Sequence, residues 1–263
     1  MARQDPIAAS LPAVQLWIAY PPDLLDDSIA LACSAVLSGG ERSRAARFHF
    51  DRHRREYLAT HALARTALAH NHPLAPAAWR FVSSAHGKPA AEPDCGLRFN
   101  LSNAEDLAVC LVAQGADVGV DVEPIARAAE IAALAPRVFS PAEQAQLASL
   151  SAAEQLDRAL SLWVLKEAHI KALGLGLSAP LQGFSFLFGG AEHIRLDLDP
   201  ALGDTSARWR FCLLDHAAHR IAVMLEAAPG SIAAPALQLW EARPPLGPAV
   251  KLSSSAAEWL PRS

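Results

Sequence analysis

The chain has 263 residues, is 52% apolar and 19% charged, and carries a formal net charge of -4. That apolar share fills a sizeable core and excludes a disordered chain, while the mild acidity gives no bulk attraction for nucleic acid. Cys33, Cys95, Cys110 and Cys212 include no Cys-x-x-Cys pair, which argues against a zinc ribbon and for free thiols in a cytoplasmic protein. The segment before Leu11 has no apolar run of signal-peptide length, and no stretch approaches the ~20 apolar residues of a membrane span. Contact with a membrane is therefore not expected.

Along the chain, residues 14–20 read as a strand stopped by Pro21 and Pro22. A helix is predicted over 26–37. Arg42, Arg44, Arg47, Arg52, Arg54 and Arg55 form a basic stretch with two readings, a solvated helix face or an anion site. Helical spacing of Tyr57, Leu58, His61, Ala62, Arg65 and Leu68 then predicts a helix over 51–70. Residues 80–83 read as a strand, Gly87-Lys88-Pro89 as a turn, 97–102 and 107–113 as a hairpin, and 118–122 as a strand ended by Pro124. Ser140-Pro141-Ala142-Glu143 opens a helix with a capping box. A long helix follows over 152–173, stopped by Gly174. Strands are predicted over 184–188, 193–198, 208–214, 219–226 and 237–240. The remaining tail is rich in Pro and Ala and carries no functional reading.

The pattern Arg98-Phe99 followed by Ala108-Val109-Cys110-Leu111-Val112-Ala113 returns as Arg210-Phe211 followed by Ala222-Val223-Met224-Leu225-Glu226-Ala227. Each copy follows a long helix and a strand, and the copies differ by two residues in the turn. The expected fold is α+β, with two similar α/β halves packed as a pseudo-dimer, spanning 1–117 and 118–228 with an extension over 229–263. Chance likeness between two alternating strands is the competing explanation.

Asp121 and Glu123 lie two apart in Gly119-Val120-Asp121-Val122-Glu123-Pro124. A strand puts both carboxylates on one face and Val120 and Val122 on the other. Paired acids read either as a solvated edge strand or as hard oxygen ligands for magnesium or calcium. In the long helix, Trp163, Glu167 and Lys171 recur one turn apart. On its own, Glu167–Lys171 is an ordinary i,i+4 ion pair; beside Asp121 and Glu123, Glu167 would complete a three-carboxylate cage. His49, His53, His61, His86 and His169 make no metal-ligand spacing and read as structural or surface residues.

Together the two segments resemble the signatures of the 4'-phosphopantetheinyl transferase superfamily. The strand is similar to its Gly-(Ile/Val)-Asp-(Ile/Val)-Glu motif, and the helix matches Trp-x-x-Lys-Glu-Ala-x-x-Lys-x-x-Gly at Trp163, Lys166, Glu167, Ala168, Lys171 and Gly174. Gly87-Lys88-Pro89, Phe99-Asn100-Leu101-Ser102, Phe139-Ser140-Pro141-Ala142-Glu143 and Pro180-Leu181-Gln182-Gly183-Phe184-Ser185 also resemble family segments. The layout resembles the larger, monomeric type from secondary-metabolite pathways, over about residues 16–227.

The resemblance implies an enzyme of holo-[acyl-carrier-protein] synthase type. It would transfer 4'-phosphopantetheine from coenzyme A to a serine of an acyl or peptidyl carrier protein and release 3',5'-ADP. It implies Mg2+, with Mn2+ as a substitute, on Asp121, Glu123 and Glu167, and Glu167 and Lys171 as catalytic groups. Coenzyme A contacts are implied at Arg44, Arg47, Lys88, Ser102, Asn103, Asp121, Lys166 and Lys171, with the adenosine and phosphate end on the first half and the metal on the second. Where the family has His after that Ser, this chain has Asn103, which can donate a hydrogen bond but carries no charge. Coenzyme A binding is therefore expected to survive with a changed pH response. A non-catalytic binding relative and a Mg-dependent nucleotide hydrolase are the alternatives.

Overall fold

The computed structural model describes residues 14–21, 26–84, 87–176, 180–189, 193–227, 235–243 and 250–252. His86 and most of the 229–263 tail lie outside the described residues.

The expected α+β architecture is present and is laid down twice. In the first half, β1 (Val14–Ala19) precedes helices α1 (Asp27–Val36), α2 (Gly39–Ala45) and α3 (Asp51–Asn71). A ribbon of β2 (Arg80–Ser83) with β3 (Pro89–Glu92) and a hairpin of β4 (Leu97–Ala104) with β5 (Leu107–Gln114) follow. In the second half, β6 (Val118–Pro124) precedes α4 (Ala128–Ala133), α5 (Ala135–Val138), α6 (Pro141–Ala148) and α7 (Ala152–Leu173). A ribbon of β7 (Phe184–Phe188) with β8 (Ile194–Leu198) and a hairpin of β9 (Trp209–His216) with β10 (His219–Glu226) complete it. The leading strand pairs antiparallel with the second hairpin strand each time, β1 with β5 and β6 with β10.

One detail of the expected repeat is corrected. Both hairpins close on two-residue turns, at 105–106 and 217–218, with left-handed backbone at Glu105 (φ 47°) and Ala217 (φ 51°). Phe99 stands opposite Val112 and Phe211 opposite Met224. The turns do not differ in length. The likeness of 108–113 to 222–227 is out of register by two residues, which alternation permits because a shift of two preserves the face.

The described part of the tail joins the first half. β11 (Leu237–Glu241) pairs parallel with β1, and β12 (Val250–Leu252) pairs with β11, giving the order β12-β11-β1-β5-β4. The second sheet runs β6-β10-β9. The alternation of β1 and β6 explains the layers. Leu16, Ile18, Val120 and Val122 share one core with Val109, Leu111, Ile221 and Val223. The opposite faces meet the long helices: Trp17 lies with Leu63, Ala67 and Leu68 of α3, and Ala222 and Met224 lie with Leu165 and Ala168 of α7.

The helix signals read from the sequence act as caps. Ser140 Oγ accepts from Glu143 N, while Glu143 Oε2 accepts from Ser140 N at 2.8 Å. Gly174 ends α7 in the left-handed conformation, φ 69°, where a Cβ would be strained. The ribbon strand β3 and the short helices α4 and α5 were not anticipated. Pro89 suits the first residue of a strand, and 128–133 is Ala-rich without a clear apolar period.

Candidate active site

The site is built where β6 crosses α7. The two run antiparallel, and their spacings are commensurate: two strand residues advance about 6.8 Å, and four helical residues about 6 Å. From Gly119 to Glu123 the partners on α7 run back from Ala172 and Lys171 to Trp163. Gly119 makes the approach possible, because a Cβ there would collide with Ala168 O and with Ala172 N at 2.5 Å.

One step on, Asp121 is 5% exposed. Its Oδ1 accepts from Lys171 Nζ at 2.6 Å and from Ser102 Oγ at 3.0 Å, and Lys171 Nζ also donates to Ser102 Oγ at 2.8 Å. Asp121 Oδ2 is buried with no hydrogen-bond partner. At the third step, Glu123 Oε1 accepts from Trp163 Nε1 at 3.1 Å, and Oε2 accepts from Arg127 Nη1 at 2.5 Å. Glu167 lies on the same face of α7. Burial pushes its carboxyl above the usual range, with Asp121 and Glu123 adding to the rise and Lys171 opposing it. Three carboxylates and Lys171 thus share one electrostatic neighbourhood.

The carboxylates converge on basic groups. Among the described residues, no group of three His, Cys, Asp or Glu side chains stands close enough to hold a metal ion. Lys171 occupies Asp121, and Arg127 with Trp163 occupies Glu123. The donor set nevertheless suits a small hard cation: every candidate ligand atom is a carboxylate oxygen, and the bare, buried Oδ2 of Asp121 leaves a charge partly uncompensated.

The other expected ligand residues divide. Ser102 is in the cluster, and Asn103 follows it, exposed, on β4. Lys88 reaches α7 from the start of β3; its Nζ donates to Ala172 O at 2.6 Å and to Asp117 Oδ1 at 3.1 Å. Arg44 and Arg47 are exposed at the end of α2, with Arg44 over the Tyr57 ring at 5.6 Å.

Lys166 is corrected. Its side chain is fully buried on the far side of α7, donating to Leu181 O at 2.7 Å and Phe184 O at 2.6 Å and pairing with Glu143 at 2.9 Å. All three ammonium donors are used inside the second half, which leaves none for coenzyme A. Successive helical residues diverge by about 100°, which separates Lys166 from Glu167. His169 is also structural, packed among the Phe184, Phe186 and Trp209 rings, with burial lowering its pKa to about 4.

Sequence reading missed Arg127 and Asn100. Arg127 carried a faint signal as the i+4 partner of Glu123. Asn100 Oδ1 accepts from Val120 N at 2.9 Å, tying the edge of one sheet to the other; its one signal was its place in the Phe99-Asn100-Leu101-Ser102 segment, which named no role for it.

The chain is similar to proteins of known family. Residues 117–224 match the model of the 4'-phosphopantetheinyl transferase superfamily. The 4'-phosphopantetheinyl transferase HetI of Nostoc sp. is 31% identical over 203 residues, covering 70% of this chain and 85% of that protein. The chain belongs to the 4'-phosphopantetheinyl transferase superfamily. A second superfamily relative, a 4'-phosphopantetheinyl transferase of Bacillus subtilis, is 33% identical over 166 residues, covering 62% of this chain and 72% of its own length. The solved holo-[acyl-carrier-protein] synthase of Thermotoga maritima aligns with a TM-score of 0.35 and 21% identity over 42% of this chain and 62% of its own. The superfamily match covers β6, α7 and most of β10, the elements that build the carboxylate site.

Proposed function

We propose that the protein transfers the 4'-phosphopantetheine arm of coenzyme A to a serine of an acyl or peptidyl carrier protein and releases 3',5'-ADP. Superfamily membership supports the reaction. The observation that carries the site assignment is Asp121, buried with one oxygen bare, on the same β6–α7 face as Glu167 and Lys171.

In this reading Asp121, Glu123 and Glu167 would hold Mg2+, or Mn2+ in its place. When bound, the ion would neutralise charge on the pyrophosphate oxygens. Lys171 has three donors and uses two of them on Asp121 and Ser102, which leaves the third for a phosphate oxygen and for charge on the leaving group. Glu167 is the candidate base. A carboxyl with a raised pKa accepts a serine proton more readily than an ordinary one. Ser102 orients Asp121, and Asn103 offers an uncharged amide to a phosphate. Lys88 braces the last turn of α7. The guanidinium forks of Arg44 and Arg47 suit the 3'-phosphate. The first half thereby takes the nucleotide and the second the ion. We further propose a cytoplasmic monomer serving a fatty-acid, polyketide, nonribosomal-peptide or aminoadipate (lysine-forming) carrier.

The test is to mix the protein with coenzyme A, Mg2+ and a panel of apo-carriers and weigh the carriers. A carrier heavier by one phosphopantetheinyl group is expected. Phosphate release with unmodified carriers would favour nucleotide hydrolysis, and coenzyme A binding without product would favour a non-catalytic relative.

A further inference from the structure

Arg127 sits in the turn between β6 and α4, and its guanidinium holds two carboxylates at once. Nη1 donates to Glu123 Oε2 at 2.5 Å, and Nε donates to Glu130 Oε2 at 3.2 Å. The two acids differ sharply in surroundings, with side-chain exposures of 12% for Glu123 and 72% for Glu130. Glu123 Oε1 is already taken by the Trp163 indole, which is fixed on the long helix. Of the two Glu123 oxygens, Oε2 is therefore the one whose donor can leave, and that donor already has its alternative anchor.

We propose that Arg127 is a displaceable counter-ion, lying on Glu123 while the acid cluster is without a divalent cation and retreating to Glu130 when a cation claims Oε2. This inference rests on the carboxylate site proposed above. The arrangement keeps half-buried like charges compensated, which otherwise raise the energy of the folded chain. It also makes cation affinity the outcome of a competition that two surface residues can tune. Arg suits the role because its planar fork serves two carboxylates, which a Lys ammonium on the same turn does less well.

The competition predicts shifts of opposite sign. Mn2+ serves as the probe, its free concentration followed by electron paramagnetic resonance with full-length protein and coenzyme A. Arg127→Gln should bind Mn2+ about 3- to 10-fold more tightly, the fold-change that corresponds to the net worth of one ordinary, solvent-weakened protein hydrogen bond. Glu130→Gln removes the alternative anchor and should bind it more weakly by a smaller factor. Arg137→Gln, which makes the same change in charge from the exposed end of α5, should bind as wild type. Unchanged or weaker binding in Arg127→Gln, or equal tightening in Arg137→Gln, overturns the latch. Asp121→Asn tests the site itself. If it binds Mn2+ as wild type does, the carboxylate assignment is wrong and the latch falls with it.

Discussion

Trp17 and Asp121 occupy the same point on the two copies of the chain path. Trp17 stands opposite Cys110 on the leading strand of the first half, and Asp121 opposite Ala222 on that of the second. Both side chains face the long helix of their half. The first half fills that position with an indole that is fully buried and stacked on Trp240 at 5.2 Å. The second puts a carboxylate there, with another at Glu123 where the first half has Ala19. The same path thus gives a dry helix–sheet core in one copy and a polar site in the other. The polar cluster lies where the core was left unfilled, and the apolar half contributes Ser102 to it.

The comparison is broken most completely at Asp121 and Glu167. Glu167→Gln is expected to abolish transfer with the fold intact, read by carrier mass and by circular dichroism. Near-wild-type turnover would remove Glu167 from the mechanism. At the equivalent core position the loss should move from activity to stability: Trp17→Ala should cost about 3–5 kcal/mol in denaturant unfolding. The buried pair behaves like core. Lys166→Met leaves Glu143 charged and buried, and should cost about 3–5 kcal/mol, whereas a coenzyme A ligand would show a raised KM with little loss of stability.

Smaller effects sharpen the contrast. Gly119→Ala pushes β6 away from α7 and should cost about 1–3 kcal/mol, with a fall in kcat larger than any rise in KM. pH separates the two kinds of buried group within α7. Glu167 has a raised folded pKa, so its unfolded carboxyl ionises first and stability falls as pH climbs above the ordinary 4.5. Glu167→Gln should raise Tm at neutral pH without divalent cation and flatten that decline. His169 is the reverse: its pKa is lowered from 6.5 to about 4, so stability is lost as pH falls across that window, and His169→Leu should reduce the loss.

Most elements were legible because their signals are local. The capping box at Ser140, the stop at Gly174, and alternation in β1, β6 and β10 act within a few residues. The shared neighbourhood of Asp121, Glu123, Glu167 and Lys171 was legible for the same reason: fixed periods of two and four name the faces of a strand and a helix. Lys166 was misread because its partners, Glu143, Leu181 and Phe184, are distant in sequence; the helical period turns it away from Glu167 but does not say what it meets there. The bond of Asn100 to Val120 N and the parallel pairing of β11 with β1 were invisible for the same cause. Composition and periodicity thus determined most of the elements and which residues of β6 and α7 share a face. Only the tertiary structure decided which basic group sits on which carboxylate, because ion pairing depends on distances between segments that sequence spacing does not encode.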